Sequence, residues 1–178
     1  MDDDLLMGRL CRGEVSALEQ LYRRHADRVF RLALRLTGRR EEADDITQDV
    51  FVRIWEYRAA YSPERRFRAW ALRICLNQCR DRARRCRERA FLDPSSAEAM
   101  PDRQPLPEET AVDRLMTSQF AGAFLRLTEP DQQLLALRLD GEIGVEEIAE
   151  VLGCSVRTVH YKTREVIQRV RRMLGEDE

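Results

Sequence analysis

Apolar residues recur every three or four positions through most of the chain, and no segment alternates with the period of two that a half-buried strand requires. The pattern predicts an all-α fold. A first helix is expected over Asp2–Cys11, with Asp2, Asp3 and Asp4 at its electropositive start, and Gly13 breaks it. A second, over about Glu14–Thr37, places Val15, Leu18, Tyr22, Val29, Leu32 and Leu36 on one stripe, with Gly38 as its stop. A third covers about Glu42–Tyr57, ahead of a Ser62-Pro63 turn, and a fourth runs from about Glu64 to Arg89. Between Phe91 and Glu109 the periodicity stops. Pro94, Pro101, Pro105 and Pro107 are interspersed there with polar residues, so 91–109 reads as a flexible linker. Helices resume over about Thr110–Arg126, Pro130–Leu139, Val145–Leu152 and Val156–Leu174. The expected architecture is two small helical domains of four helices each, 1–90 and 110–178.

The last two helices have the spacing of a helix-turn-helix, in which a short helix packs across a second that enters the DNA major groove. Ile148, Ala149 and Leu152 form the inner face of the first, Gly153 supplies the turn, Ser155 caps the second, and Val159, Val166 and Val170 face the core. Arg157, Thr158, His160, Tyr161, Lys162 and Arg164 are left facing outward, where base edges and phosphates would be met. A helical hairpin with a solvated basic face is the plainer alternative. His160 has no acidic or cysteine partner nearby in sequence, which fits a DNA or solvent contact better than a metal ligand.

The formal net charge of −1 conceals a separation of charge along the chain. Ten arginines against Glu64, Asp81 and Glu88 give residues 63–89 a charge of +7, and six basic residues against Glu165 give residues 155–174 a charge of +5. The first block lies on the fourth helix, where Phe67, Ala71, Leu72, Ile74, Cys75, Leu76 and Cys79 make a buried arc. The opposite side presents Arg66, Trp70, Arg73, Asn77, Arg80, Asp81, Arg84 and Arg87. An aromatic ring and an amide within a basic stripe suit melted nucleic acid, where charge holds phosphates, the ring stacks and the amide reads a base edge. Trp70, at the edge of the stripe, also fits a core position. The third helix is different in kind. Ala43, Ile46, Val50 and Ile54 point inward while Asp45, Gln48, Asp49 and Glu56 line the outside. Such a face repels DNA and suits a basic protein surface, or is simply solvated.

Hydrophobic residues at 43% and charged residues at 35% indicate a chain that folds. Of the five cysteines, none forms a Cys-x-x-Cys pair, and no apolar run is long enough to span a membrane. Neither membrane insertion nor a secreted, disulfide-bonded protein is expected, and the reading is cytoplasmic. Cys75, Cys79 and Cys86 share a helical face with Ala71, Leu72, Leu76 and Ala83, so they read as small buried hydrophobes in preference to a metal or thiol-switch site. No metal and no cofactor are expected. His25 and His160 lie in different domains, and no phosphate loop or nucleophile constellation occurs, which argues against an enzyme.

Three segments carry a resemblance to one family. Ala43-Asp-Asp-Ile-Thr-Gln-Asp-Val-Phe-Val-Arg-Ile-Trp55 resembles the polymerase-docking helix of extracytoplasmic-function sigma factors of bacterial RNA polymerase. Phe67-Arg-Ala-Trp-Ala-Leu-Arg-Ile-Cys-Leu-Asn77 resembles their promoter-melting helix, and Gly144-Val-Glu-Glu-Ile-Ala-Glu-Val-Leu-Gly153, followed by Thr158-Val159, their C-terminal helix-turn-helix. All three stand in the family's order. The resemblance implies that residues 1–90 form a domain that docks on core polymerase and melts the minus-ten element, and that 110–178 recognise the minus-35 element. It implies polymerase contacts at Asp45, Gln48, Asp49 and Arg53, with the clamp helices of the largest subunit and the flap as partners. Minus-ten contacts fall on Tyr61, Arg66, Trp70, Arg73, Asn77, Arg80, Asp81 and Arg84, with Asn77 holding a flipped base and the loop Tyr61–Arg66 forming its pocket. Minus-35 contacts fall on Arg157, Thr158, His160, Tyr161, Lys162 and Arg164. An anti-sigma factor and a stress or envelope signal complete what the family implies. His160-Tyr161-Lys162 replaces the family's usual basic-Ser-basic run, and Glu165 and Ile167 replace commonly basic positions, so the minus-35 preference does not carry over. The competing reading is a helix-turn-helix regulator, a repressor or response-regulator output that is not a polymerase subunit. Such a protein needs neither the acidic third helix nor the Trp/Asn stripe.

Overall fold

The computed structural model describes residues 2–62, 66–92 and 119–175, and every regular element among them is helical. The chain divides into two compact units, Met1–Asp102 and Arg103–Glu178, with the division inside the span expected to be a linker. Residues 93–118, which hold most of that span and the start of the helix expected at Thr110, lie outside the described residues, as do 63–65 of the expected pocket loop.

The first unit contains α1 (Asp3–Cys11), α2 (Val15–Thr37), α3 (Arg40–Glu56), a 3₁₀ turn (Arg58–Ala60) and α4 (Phe67–Leu92). α2 packs against α1, α3 and α4, and α3 packs against α4. The core is where these faces meet: Leu6 and Leu10 of α1, Leu21 and Leu32 of α2, Ile46, Val50 and Ile54 of α3, and Phe67, Leu72 and Cys75 of α4 are all buried. Each large side chain of this set contributes roughly 1.5–3 kcal/mol through removal of apolar surface from water.

The inner stripe of α2 differs from the expected one. Ala17, Leu21, His25, Val29, Leu32 and Ala33 are buried, whereas Val15 is 64% exposed and Tyr22 42% exposed. Leu18 and Leu36 sit at the margins, half-buried. The difference arises because valine and tyrosine outrank alanine and histidine in apolarity, while close helix packing here favours the small residue and an imidazole hydrogen-bonded to Asp3. α4 departs from expectation at both ends. Arg66 is not helical; its carbonyl accepts from Trp70 N at 3.1 Å, which makes it the residue that opens the helix. At the other end α4 runs on to Leu92, and every described side chain from Ala83 onward is exposed. Its buried arc is wider than expected, adding Ala69 and Gln78 while Ile74 is only half-buried.

In the second unit residues 119–125 are helical and are designated α5; α6 (Glu129–Arg138), α7 (Val145–Leu152) and α8 (Val156–Leu174) follow. Phe124, Leu134, Leu137, Ile148, Val159 and Val166 make its core. Arg169 of α8 donates to Asp131 in the first turn of α6, fixing the long helix against the unit.

Candidate nucleic-acid interface

The turn between α7 and α8 is built from local chemistry. Gly153 closes α7 with a φ of 66°. Its N–H donates to Glu150 O at 3.2 Å and that of Cys154 to Ala149 O at 3.0 Å, the paired bonds that satisfy a helix's last carbonyls when a left-handed residue follows it. Ser155 Oγ then accepts from Thr158 N at 3.1 Å, capping α8. With Val159, Val166 and Val170 buried, Arg157, His160, Tyr161, Lys162 and Arg164 are exposed and Thr158 is half-buried, its hydroxyl 2.8 Å from that of Ser155. Two features had no place in the sequence reading. The Tyr161 hydroxyl donates to Glu165 Oε1 at 2.8 Å, which pins the ring along the outer face and raises the phenol's pKa. Gln168 is exposed one turn beyond Arg164 and continues the line Arg157, Tyr161, Arg164. The i, i+4 spacing of Tyr161 and Glu165 was the available signal. Arg169, counted in the basic block, instead serves the fold through Asp131.

On α4 the expected stripe is present: Arg66, Arg73, Asn77, Arg80, Arg84 and Arg87 are exposed, and Asp81 is half-buried with Arg84 Nη2 at 3.8 Å. Trp70 is half-buried. Its ring lies 5.3 Å from that of Tyr61 and 6.2 Å, edge to face, from that of Phe67. The cysteines part company. Cys75 and Cys79 are buried, and the hydrogen bond between the two thiols, together with burial, pushes the Cys75 pKa up, which leaves it an unreactive thiol. Cys86 is exposed, so the expectation of three buried cysteines fails at the third: beyond Cys79, α4 has left the body of the unit. Among the described residues no group of three His, Cys, Asp or Glu side chains could hold a metal ion.

α3 holds its acidic face as expected. Asp45, Gln48, Asp49 and Glu56 are exposed above the buried row Ala43, Ile46, Val50 and Ile54, and Thr47 satisfies its buried hydroxyl on Ala43 O at 2.7 Å. Arg53 is placed differently from its three acidic and amide neighbours. It is half-buried, and its guanidinium faces the Gln78 side-chain amide on α4, whose oxygen accepts from Arg53 in the amide orientation that satisfies both groups. The 3₁₀ turn that follows is held by Arg58, whose guanidinium sits 4.2 Å over the Trp55 ring and whose carbonyl takes the Cys11 thiol at 3.1 Å.

α1 makes contacts that the sequence pattern did not reveal. Asp3 accepts from Arg24 at 3.0 Å and pairs with His25 Nε2 at 2.8 Å, while Asp4 accepts from the Tyr61 hydroxyl at 2.7 Å. These partners are 21 to 57 residues apart, and nothing local announces them.

A four-helix body with an acidic helix beside a basic, Trp- and Asn-bearing one, joined in one chain to a helix-turn-helix unit, has the features of a nucleic-acid-binding protein with a second surface of opposite charge. Comparison with known proteins specifies the class. Residues 21–89 match the family model for sigma-70 region 2. The chain is 31% identical over 164 residues to the RNA polymerase sigma factor CnrH of Cupriavidus metallidurans, a match that spans 88% of this chain and 86% of CnrH. It is 27% identical over 162 residues to the extracytoplasmic-function (ECF) sigma factor SigW of Bacillus subtilis, spanning 86% and 85% of the two chains. The solved structure of CnrH in complex with the cytosolic domain of CnrY superposes with a TM-score of 0.71 at 25% identity over 99% of both chains. That of the sigma factor RpoE with the anti-sigma factor NepR from Bartonella quintana gives 0.69 at 18% identity, over 90% of this chain and 98% of that one, and shares the fold. The chain belongs to the extracytoplasmic-function family of RNA polymerase sigma factors.

Proposed function

We propose that this chain binds core RNA polymerase through the outer face of α3, opens the minus-ten element on the stripe of α4, and reads the minus-35 element with α8. It is a sigma factor that directs promoter-specific transcription initiation. The observation that carries the division of labour is the charge on adjacent helices. Asp45, Gln48 and Asp49 are exposed on α3, while Arg73, Asn77 and Arg80 are exposed on α4. One surface repels phosphate and the other attracts it, so the two serve different partners.

Residues 1–90 are accordingly the docking and melting domain and 110–178 the minus-35 domain. In the docking surface Asp45, Gln48 and Asp49 meet the clamp helices of the largest subunit, and Arg53 stands at its edge, shared with Gln78. Around the flipped minus-ten base, Asn77 supplies the amide, Tyr61, Arg66 and Trp70 the pocket side, and Arg73, Arg80, Asp81 and Arg84 the flank along the backbone. On the upstream element Arg157, Tyr161 and Arg164 lie central, with Thr158, His160 and Lys162 beside them.

The relatives are regulatory subunits, and the chain is read likewise as having no catalytic step of its own. Its place of action is with the polymerase in the cytoplasm, and no helix among the described residues is long and apolar enough to cross a membrane. An anti-sigma factor is a partner, supported by the solved complexes of CnrH with CnrY and of RpoE with NepR. Release from it in response to a stress or envelope signal is the corresponding regulation.

Run-off transcription with purified core polymerase and a promoter library tests the reading against that of a helix-turn-helix regulator. A sigma factor makes discrete transcripts from a subset of promoters only when the chain is added to core. A regulator binds DNA without core and starts nothing.

A further inference from the structure

Four rings form one cluster on the first unit, in which Tyr61, Phe67 and Trp70 face one another, Tyr61 lying 6.4 Å from Phe67. The His25 imidazole on α2 lies 5.0 Å from Phe67, Phe67 lies 6.2 Å from Trp70, and Trp70 lies 5.3 Å from Tyr61. Two members of the cluster, His25 and Tyr61, are held by the first turn of α1. His25 Nε2 is 2.8 Å from Asp3 Oδ2, and the Tyr61 hydroxyl is 2.7 Å from Asp4 Oδ1. Phe67 is the first residue of α4, and Trp70, Arg73 and Asn77 follow at three- and four-residue steps up its outer side, so whatever orients the ring cluster sets the near wall of that stripe.

A tyrosine at a strand-like turn residue, half-exposed and beside a tryptophan, has several rotamers open to it unless something selects one. A charge-assisted hydrogen bond donated to a carboxylate selects one, and it does so more strongly than a bond to a neutral acceptor would. The Asp4 carboxylate sits on a helix start, where the peptide dipoles also hold it in place. Three consecutive aspartates at a helix start are sufficiently explained by that dipole, but two of them engage named side chains on other elements, 22 and 57 residues away.

The geometry points to Asp4 as a positioning residue for minus-ten recognition: through the Tyr61 hydroxyl it fixes the ring cluster that borders the base-binding stripe, with Asp3 holding the His25 side of the cluster. Asp4 touches no DNA in this arrangement and acts only through Tyr61. The inference rests on the reading of α4 as the minus-ten surface, and its test keeps the two apart.

Core polymerase carrying the full chain is measured on forked, pre-melted promoter DNA with each of the four bases at the flipped minus-ten position. Asp4→Ala and Tyr61→Phe each lower the discrimination between the preferred base and the others about 3- to 10-fold, the range of one hydrogen bond. The double variant loses no more than either single one, because both remove the same bond. Asp4→Asn, which keeps an acceptor oxygen, recovers most of the discrimination. Asp4 is exposed, and a merely structural role would move the melting temperature and leave base preference on pre-melted DNA unchanged. Unchanged discrimination in Asp4→Ala, or losses that multiply in the double variant, overturns the inference. Asn77→Ala is run beside them: if it loses discrimination while Asp4→Ala keeps it, the inference fails and the reading of α4 stands, and if neither changes it, both fail.

Discussion

Nη2 of Arg82 on α4 lies 3.0 Å from Oδ2 of Asp45 on α3, so the acidic and basic surfaces touch through this ion pair. Asp45 is exposed and Arg82 half-buried, and an ion pair open to solvent on one side contributes little to folding, about 1 kcal/mol or less. Its weakness matters for docking, since a basic partner can take Asp45 from Arg82 at little cost. Replacing Asp45, Gln48 and Asp49 together by alanine should abolish co-purification with core polymerase and leave the far-UV helical signal unchanged, because the buried row of α3 is untouched. Arg82→Ala should leave core binding intact. Retained core binding in the triple variant, or equal loss in Arg82→Ala, would show that α3 does not dock through its own outer face.

On α8 the exposed basic residues divide by position. Arg164 lies on the outermost line with Arg157 and Tyr161, and Lys162 lies toward the side. Arg164→Ala should cost about 1–3 kcal/mol and relax the preference at one position of the upstream element, as expected for a lost base contact. Lys162→Ala should weaken all sequences alike and reduce the salt slope by about one ion, as expected for a lost phosphate contact. Binding isotherms of the folded protein at several salt concentrations distinguish the two. The pattern fails if both substitutions behave alike.

His25 makes folding stability depend on pH. Its Nε2 faces Asp3, and Nδ1 is buried with no hydrogen-bond partner among the described residues, so the neutral tautomer donates from Nε2. Protonation would add a buried N–H at Nδ1 with nothing to accept it. Burial therefore lowers the pKa, Arg28 and Arg68 lower it further, and the Asp3 carboxylate opposes them. The unfolded chain takes up this proton near the ordinary value of about 6.5 and the folded chain only at lower pH. Stability is thus full above about 6.5 and falls as the pH drops below it. Urea unfolding at pH 7.5 and 5.5 should show a lower midpoint at the acidic value, and His25→Gln should shrink the difference. An equal difference in that variant would assign the dependence to other groups.

What the sequence made legible was whatever local chemistry specifies. The ends of α7 and α8 were predicted to the residue because Gly153 and Ser155 mark the turn between them, and the outer faces of α3 and α8 followed from period alone. The inner face of α2 was misjudged because that 23-residue helix is covered by three others, and its partners select Ala17 and His25 over Val15 and Tyr22. The resemblance assigns Arg53 a polymerase contact and the charge count places Arg169 in a basic block, yet each also faces a partner on another helix, distant in sequence. The aspartates of α1 are the same kind of case: periodicity places them at a helix start, and only the fold brings them to His25 and Tyr61.

Promoter opening on the stripe of α4 is the claim on which the rest depends, since it separates a sigma factor from any other helix-turn-helix protein. Unstacking a base costs free energy that a basic, partly aromatic surface with a suitable amide can offset by trapping it. Asn77 is exposed at the centre of that surface, between Arg73 and Arg80. The decisive measurement is permanganate footprinting of core polymerase with Asn77→Ala, on a duplex promoter and on the same promoter pre-melted at the minus-ten element. Reactivity should fall on the duplex, return on the pre-melted template, and lose its preference at one base, with core and upstream-element binding unchanged; duplex opening and base preference equal to those of the parent protein would contradict the assignment.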